Sequence, residues 1–178
     1  MEKIGVFCSA AQGLPESFTQ AARQLGQWMG QKGMTLVYGG VRKGLMAEVS
    51  LACHEAGGRL YGIYPSYMEE RGFTEPDLDV CMPTAGLTDR KDLLLLNSEA
   101  LVALPGGIGT LDEVFTLMGL MAAGEVEKPL FLLNVDGYWE PLLRLMEHLQ
   151  QQGMLRHPAD HYYRVAGTVQ ELIQMLEN

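Results

Sequence analysis

Cysteine is scarce in this chain and poorly placed for chemistry. Cys8, Cys53 and Cys81 are the only three, and no two form a CxxC pair. That spacing indicates neither a zinc knuckle nor a disulfide framework, and a reducing, cytoplasmic setting is expected. Basic charge is also short, with 13 Lys and Arg against 22 Asp and Glu, a net charge of −9. A nucleic acid polymer needs a basic face for counterion release, so it is not an expected partner. A single nucleotide stays open, because a local anion site can outweigh a distant field. Long apolar runs are missing. None reaches the roughly 18 residues of a membrane span, and the apolar start at Ile4 to Cys8 is too short for a signal peptide. No membrane association is expected. His157 and His161 stand four apart with Pro158 between them, and no His-Glu-x-x-His pattern exists, so no metal site is expected.

What is present is a chain of 178 residues, 47% apolar, which suits one domain over residues 1–178. Short apolar runs alternate with helical patterns. Strands are expected at Ile4 to Cys8, Met34 to Tyr38, Arg59 to Ile63, Ala100 to Leu104 and Pro129 to Asn134. Helices are expected at Glu16 to Lys32, Leu45 to Ala56, Leu87 to Ser98, Leu111 to Ala123, Tyr138 to Gln152 and Thr168 to Leu176. In the first helix Phe18, Ala21, Ala22, Leu25, Trp28 and Met29 recur at helical spacing. Ser66 to Gly86 reads as irregular, with a short strand at Leu78 to Cys81. Continuous rather than alternating apolar strands mean burial on both faces. The expected fold is therefore α/β, a doubly wound parallel sheet in a Rossmann-like three-layer sandwich. Ligands of such sheets bind beyond the carboxyl ends of the strands. The turns at Cys8-Ser9, Gly39-Gly40 and Pro105 to Gly109 all lie on that edge.

The densest signal is Pro105-Gly106-Gly107-Ile108-Gly109-Thr110-Leu111-Asp112-Glu113, between an apolar strand and a helix. A Gly-rich turn there leaves N–H groups free at the positive end of a helix, a cradle for a phosphate. Its spacing fits neither a dinucleotide fingerprint, since Asp112 stands where a third glycine belongs, nor a P-loop, since no Gly-Lys-Ser/Thr follows. Glu113 adds a carboxylate one turn into the helix. Thr110 to Glu113 also reads as a capping box, in which Thr110 caps the helix and Glu113 reaches back to it. On spacing alone both roles of Glu113 stay open.

This stretch, with Thr88-Asp89-Arg90-Lys91 upstream, resembles the LOG family signature PGGxGTxxE and its Arg-Lys pair. The resemblance extends to Gly5 through Ser9, Val37-Tyr38-Gly39-Gly40, Gly44-Leu45-Met46, Lys128-Pro129 and Leu133 through Tyr138. Members, long labelled possible lysine decarboxylases, are nucleoside 5′-monophosphate phosphoribohydrolases. They cleave cytokinin riboside monophosphates, and often AMP, to free base and ribose 5-phosphate. The resemblance implies a metal-free, cofactor-free hydrolase with Arg90 and Glu113 as catalytic residues. It implies a 5′-phosphate held by Thr110 and the N–H groups of Gly107 and Gly109, with Gly106 shaping the turn. Gly39 and Gly40 are to approach the nucleotide, Lys91 to add positive charge, and Leu87 to stand where members usually carry a Met. The chain departs from the pattern with Val41 after Tyr-Gly-Gly and with Ser9-Ala10-Ala11 after the first strand. A carrier or sensor that binds nucleotide without turnover is the alternative on the same fold. A homodimer is also implied. Leu93 to Leu96, with Leu117, Met118, Leu120 and Met121, look too apolar for one sheet face to bury.

Overall fold

A computed structural model describes all 178 residues. The elements run β1 (Lys3–Phe7), α1 (Glu16–Gln31), β2 (Thr35–Tyr38), α2 (Gly44–Glu55), β3 (Arg59–Pro65), α3 (Ser66–Glu70), β4 (Val80–Thr84) and α4 (Leu87–Leu96). They continue with β5 (Ala100–Ala103), α5 (Ile108–Ala123), β6 (Leu130–Leu133), a 3-10 turn (Val135–Gly137), α6 (Glu140–Gln151), α7 (Ala159–Tyr162), β7 (Arg164–Ala166) and α8 (Val169–Glu177). All seven strands form one sheet of order β4-β3-β2-β1-β5-β6-β7, and every pairing is parallel. This is the expected doubly wound α/β fold.

The side chains of each strand divide by the period of two that a pleated strand imposes. Ile4, Val6, Leu36, Tyr38, Ala100, Val102, Phe131 and Leu133 face a layer built from α1, α2 and α8. Phe7, Val37, Leu101, Ala103, Leu130 and Leu132 face the opposite layer, formed by α4, α5 and α6. The inner strands β2, β5 and β6 are buried at every position, which explains why they read as unbroken apolar runs. No helix is long and apolar enough to cross a membrane.

Several sequence expectations need correction. The stretch after Pro65 is not irregular throughout: it carries α3, and its strand runs Val80–Thr84, not Leu78 to Cys81. β7 and α7 lie between Gln152 and Thr168, where the sequence pattern predicts no element. Both missed or shifted strands lie at sheet edges, where one flank faces solvent and an apolar run is not required. β4 even contains Pro83, an edge-strand residue. α6 starts at Glu140, because Val135–Gly137 first makes a 3-10 turn with Asp136 at φ 52°. The apolar surplus on α4 and α5 is mostly absorbed within the chain. Leu94, Leu95, Leu117, Met118 and Met121 are buried, and Leu93 and Leu120 pack against the same core. Of that set only Leu96 is exposed.

α1 and α2 approach so closely that two glycines form the contact. A Cβ on Gly26 would overlap the Val49 carbonyl oxygen, and one on Gly30 would overlap that of Cys53. A backbone carbonyl in a helix cannot yield as a side-chain tip can. Gly30→Ala is therefore expected to push the helices apart and cost about 1–3 kcal/mol. Thermal unfolding should show Tm lowered by several degrees; an unchanged or raised Tm would contradict this packing.

Candidate active site

The chain winds outward from β1 to β4, then crosses back to place β5 on the other side of β1. The topological switch therefore lies between β1 and β5, where loops diverge and leave a crevice. The two loops are tied together across it. Leu104 N–H donates to the Phe7 carbonyl at 2.9 Å, and Ser9 N–H donates to the Pro105 carbonyl at 3.2 Å. Ser9 in turn accepts the Leu45 N–H at 2.9 Å, which brings the start of α2 to the same rim.

The glycines at the crevice do different work. Gly107 is the N-cap of α5, and no side chain caps this helix. The N–H groups of Ile108, Gly109 and Thr110 thus begin the helix without intrahelical acceptors, at its positive end. A Cβ on Gly106 would overlap the Thr110 side chain, so only glycine fits there. A Cβ on Gly107 or Gly109 would meet nothing within 4 Å, so these two face open space. Thr110 itself is buried. This geometry overturns the capping-box reading: Thr110 lies inside the helix, and Glu113 turns away from the helix start.

Glu113 points at Arg90. Arg90 Nη1 lies 2.7 Å from Glu113 Oε1, with the arginine side chain 12% exposed and the glutamate 5%. The guanidinium is oriented by a second bond, from Nε to the Ile63 carbonyl near the end of β3 at 3.0 Å. It has room because residue 39 is glycine: a Cβ there would stand 2.7 Å from Arg90 Nη2. Gly40, at φ 65°, adopts a conformation that favours glycine, and its absent side chain leaves space for the Tyr64 ring. Burial pushes the Glu113 carboxyl above its ordinary value, and the charge and hydrogen bond of Arg90 oppose the rise. Cys8, at the foot of the crevice, is held as a thiol by burial first and by the Glu113 charge second. Lys91 does not join the pair. It bonds Asp112 at 2.8 Å, so the adjacent acid points elsewhere, as its position on the helix requires.

Beside Arg90 lies a cavity of about 450 Å³, lined by Gly39, Val41, Met46, Phe73, Leu87 and Arg90 among others. Val41 is buried there and bridges to Thr74 of the β3–β4 connection, which folds over the turn after β2. Lys43 stands over the Phe73 ring at 3.9 Å. Arg90, Glu113, Gly39, Gly106, Gly107, Gly109 and Thr110 thus gather at one sheet edge. Leu87 lines the cavity, whereas Gly40 is not part of its lining. Sequence reasoning missed the cavity's outer wall, Tyr67, Met68 and Phe73, because their segment lacks a periodic pattern. Tyr138 carries no role in the sequence pattern, yet its hydroxyl donates to the Gly106 carbonyl at 2.6 Å.

The chain is similar to several known proteins. A family model described as "Possible lysine decarboxylase" matches residues 46–176. Cytokinin riboside 5′-monophosphate phosphoribohydrolase LOG5 of Arabidopsis thaliana is 35% identical over 176 residues, covering 99% of this chain and 77% of the relative. LOG3 of the same plant is 36% identical over 175 residues, covering 98% and 81%. Among solved structures, a molybdenum cofactor binding protein from Rippkaea orientalis superposes with a TM-score of 0.75 at 26% identity, covering 99% of this chain and 95% of that one. The molybdenum cofactor carrier protein of Chlamydomonas reinhardtii gives 0.75 at 26%, covering 99% and 96%. A family model that spans most of the chain, and relatives matched over more than two thirds of their length, lead to one assignment: the chain belongs to the LOG family.

Proposed function

We propose that this protein hydrolyses the N-glycosidic bond of a purine nucleoside 5′-monophosphate, AMP or a cytokinin riboside monophosphate, releasing free base and ribose 5-phosphate. The observation that carries the reading is the buried Arg90–Glu113 pair, 2.7 Å apart, next to the uncapped start of α5. The 5′-phosphate sits on the N–H groups of Gly107, Ile108 and Gly109, with Thr110 beside it. The base enters the cavity bordered by Val41, Met46 and Leu87, its faces against apolar side chains. That places the ribose over Arg90 and Glu113.

Breaking the bond from C1′ to the base nitrogen passes through an oxocarbenium-like sugar. The bonding pair leaves with the base, which takes up a proton from solvent, and the proton that Glu113 later accepts returns there. A water oxygen bonds to C1′, and Glu113 accepts the proton that water gives up. The Glu113 charge also faces the cationic sugar. Arg90, fixed by Ile63 and Glu113, presents its remaining N–H donors to the ribose hydroxyls in a planar fork.

A second reading, a nucleotide-binding carrier without turnover, draws on the frame shared with the molybdenum cofactor proteins and on Val41 at the turn. It predicts binding with no base release. We also propose a homodimer. α5 carries Ile108 and Phe115, 82% and 41% exposed, two turns apart on one face, and Leu87 and Leu96 are exposed on α4. The three cysteines are free, in keeping with a reducing cytoplasm.

Incubation with AMP should release adenine and ribose 5-phosphate, with adenosine cleaved far more slowly. Equal kcat/KM for the two would remove the phosphate site from the reading, and binding without release would establish the carrier.

Glu113→Gln should lower kcat by about 100-fold or more, with AMP binding kept within about tenfold. The wild-type pH profile should reflect the raised Glu113 pKa. Because the proton is taken up at higher pH than by an ordinary carboxyl at 4.5, activity should fall on acidification from above that value. An acid limb at or below 4.5 would show that Glu113 does not titrate as the essential base.

Light scattering at micromolar concentration should give twice the 19.6 kDa chain mass. A clean monomer with full activity would end the dimer proposal.

A further inference from the structure

Three successive carbonyls in the turn before α5 are engaged from inside the protein. Pro105 accepts from Ser9 N–H at 3.2 Å, Gly107 accepts from Leu111 N–H at 3.0 Å, and Gly106 accepts from the Tyr138 hydroxyl at 2.6 Å. Only the Gly106 carbonyl depends on a side chain. The chain has no cis peptide bond, and in a trans peptide the C=O and the N–H point in opposite directions. The Gly106 carbonyl and the Gly107 N–H belong to one such unit. Holding the carbonyl toward Tyr138 therefore turns the Gly107 N–H the other way, away from the Tyr138 hydroxyl, and a Cβ on Gly107 or Gly109 would meet nothing within 4 Å. With no Cβ on either flank, this peptide has little steric resistance to rotation.

Tyr138 is itself held by a turn with many bonds. Its ring meets Phe18 edge-on at 5.3 Å and Trp139 at 5.0 Å. The Asn134 side chain accepts the Trp139 N–H at 2.7 Å and donates to Glu140 at 2.9 Å. Asp136, a non-glycine residue at φ 52°, accepts the Ser17 hydroxyl at 2.5 Å. Trp139 Nε1 donates to the Ala103 carbonyl at 3.3 Å, which ties the turn to β5. A strained residue persists only where its surroundings over-determine it, and here the product of that constraint is the placement of Tyr138.

We propose that Tyr138 is a positioning residue: it locks the Gly106–Gly107 peptide with the Gly107 N–H facing the phosphate. The proposal rests on the phosphate site described under the proposed function. Tyr138→Phe removes the hydroxyl and keeps the ring contacts, so Tm should stay within a few degrees. Ribose 5-phosphate affinity, measured by calorimetry, should fall by about five- to tenfold, the worth of one hydrogen bond. KM for AMP should rise by a similar factor, while kcat/KM for adenosine, which has no phosphate, stays within about twofold. The Gly107 amide resonance should move in the variant even without ligand. Should Tyr138→Phe lose its fold, Ser17→Ala loosens the Asp136 turn while leaving Tyr138 intact, and it should show the same phosphate-selective weakening. Unchanged ribose 5-phosphate affinity with an unmoved Gly107 resonance would overturn the role and leave the phosphate site standing. An equal loss on AMP and adenosine would make Tyr138 merely structural and also overturn it. A wild-type protein that neither binds ribose 5-phosphate nor prefers AMP would remove the phosphate site, and this proposal with it.

Discussion

Arg90 and Glu113 are costly to bury singly, and the structure buries them together. Much of the surrounding architecture follows from that requirement. The guanidinium needs a further acceptor, and β3 supplies the Ile63 carbonyl. It needs volume, and the turn after β2 supplies a glycine. The helix carrying Arg90 must not drift, and Lys128 bonds the carbonyls of Leu95 and Ser98 at its far end. A second pair, Lys91 with Asp112, links the same two helices nearer solvent. There solvent screening leaves it worth little.

The frame is broader than the chemistry. Proteins that carry or bind molybdenum cofactor share the sheet and its helices at about a quarter identity, while the phosphoribohydrolase relatives match at about a third. A parallel sheet with a switch between β1 and β5 provides a crevice and a helix start facing it, which suits many phosphorylated ligands. The proposed hydrolysis rests instead on the buried Arg90–Glu113 pair beside that crevice.

The inner sheet was legible in the sequence because burial on both faces demands unbroken apolar runs, as in Leu101 to Ala103 and Leu130 to Leu133. The edge strands were not legible, since Val80–Thr84 and Arg164–Ala166 have one open flank and answer to pairing more than to pattern. Within the site, Gly106, Gly107 and Gly109 announced an anion turn. Whether Glu113 capped its own helix or left it was not decidable from spacing. That answer depends on Arg90, brought near by the sheet order and not by proximity in the chain. Tyr138 was hidden for the same reason: its partner is a backbone carbonyl, which carries no residue signature.

The central seam of the sheet also governs the order in which the molecule can form. β1 pairs with β5 through Ile4 and Ala100, the longest loop any strand pair here must close. Synthesis from the N-terminus completes β1 through β4 and α4 before β5 and α5 exist, so Arg90 is made ahead of its carboxylate partner. Closure of so distant a pairing is slow compared with local helix and neighbouring-strand formation. A chain stalled before α5 would hold Arg90 without the carboxylate that it pairs with in the finished fold.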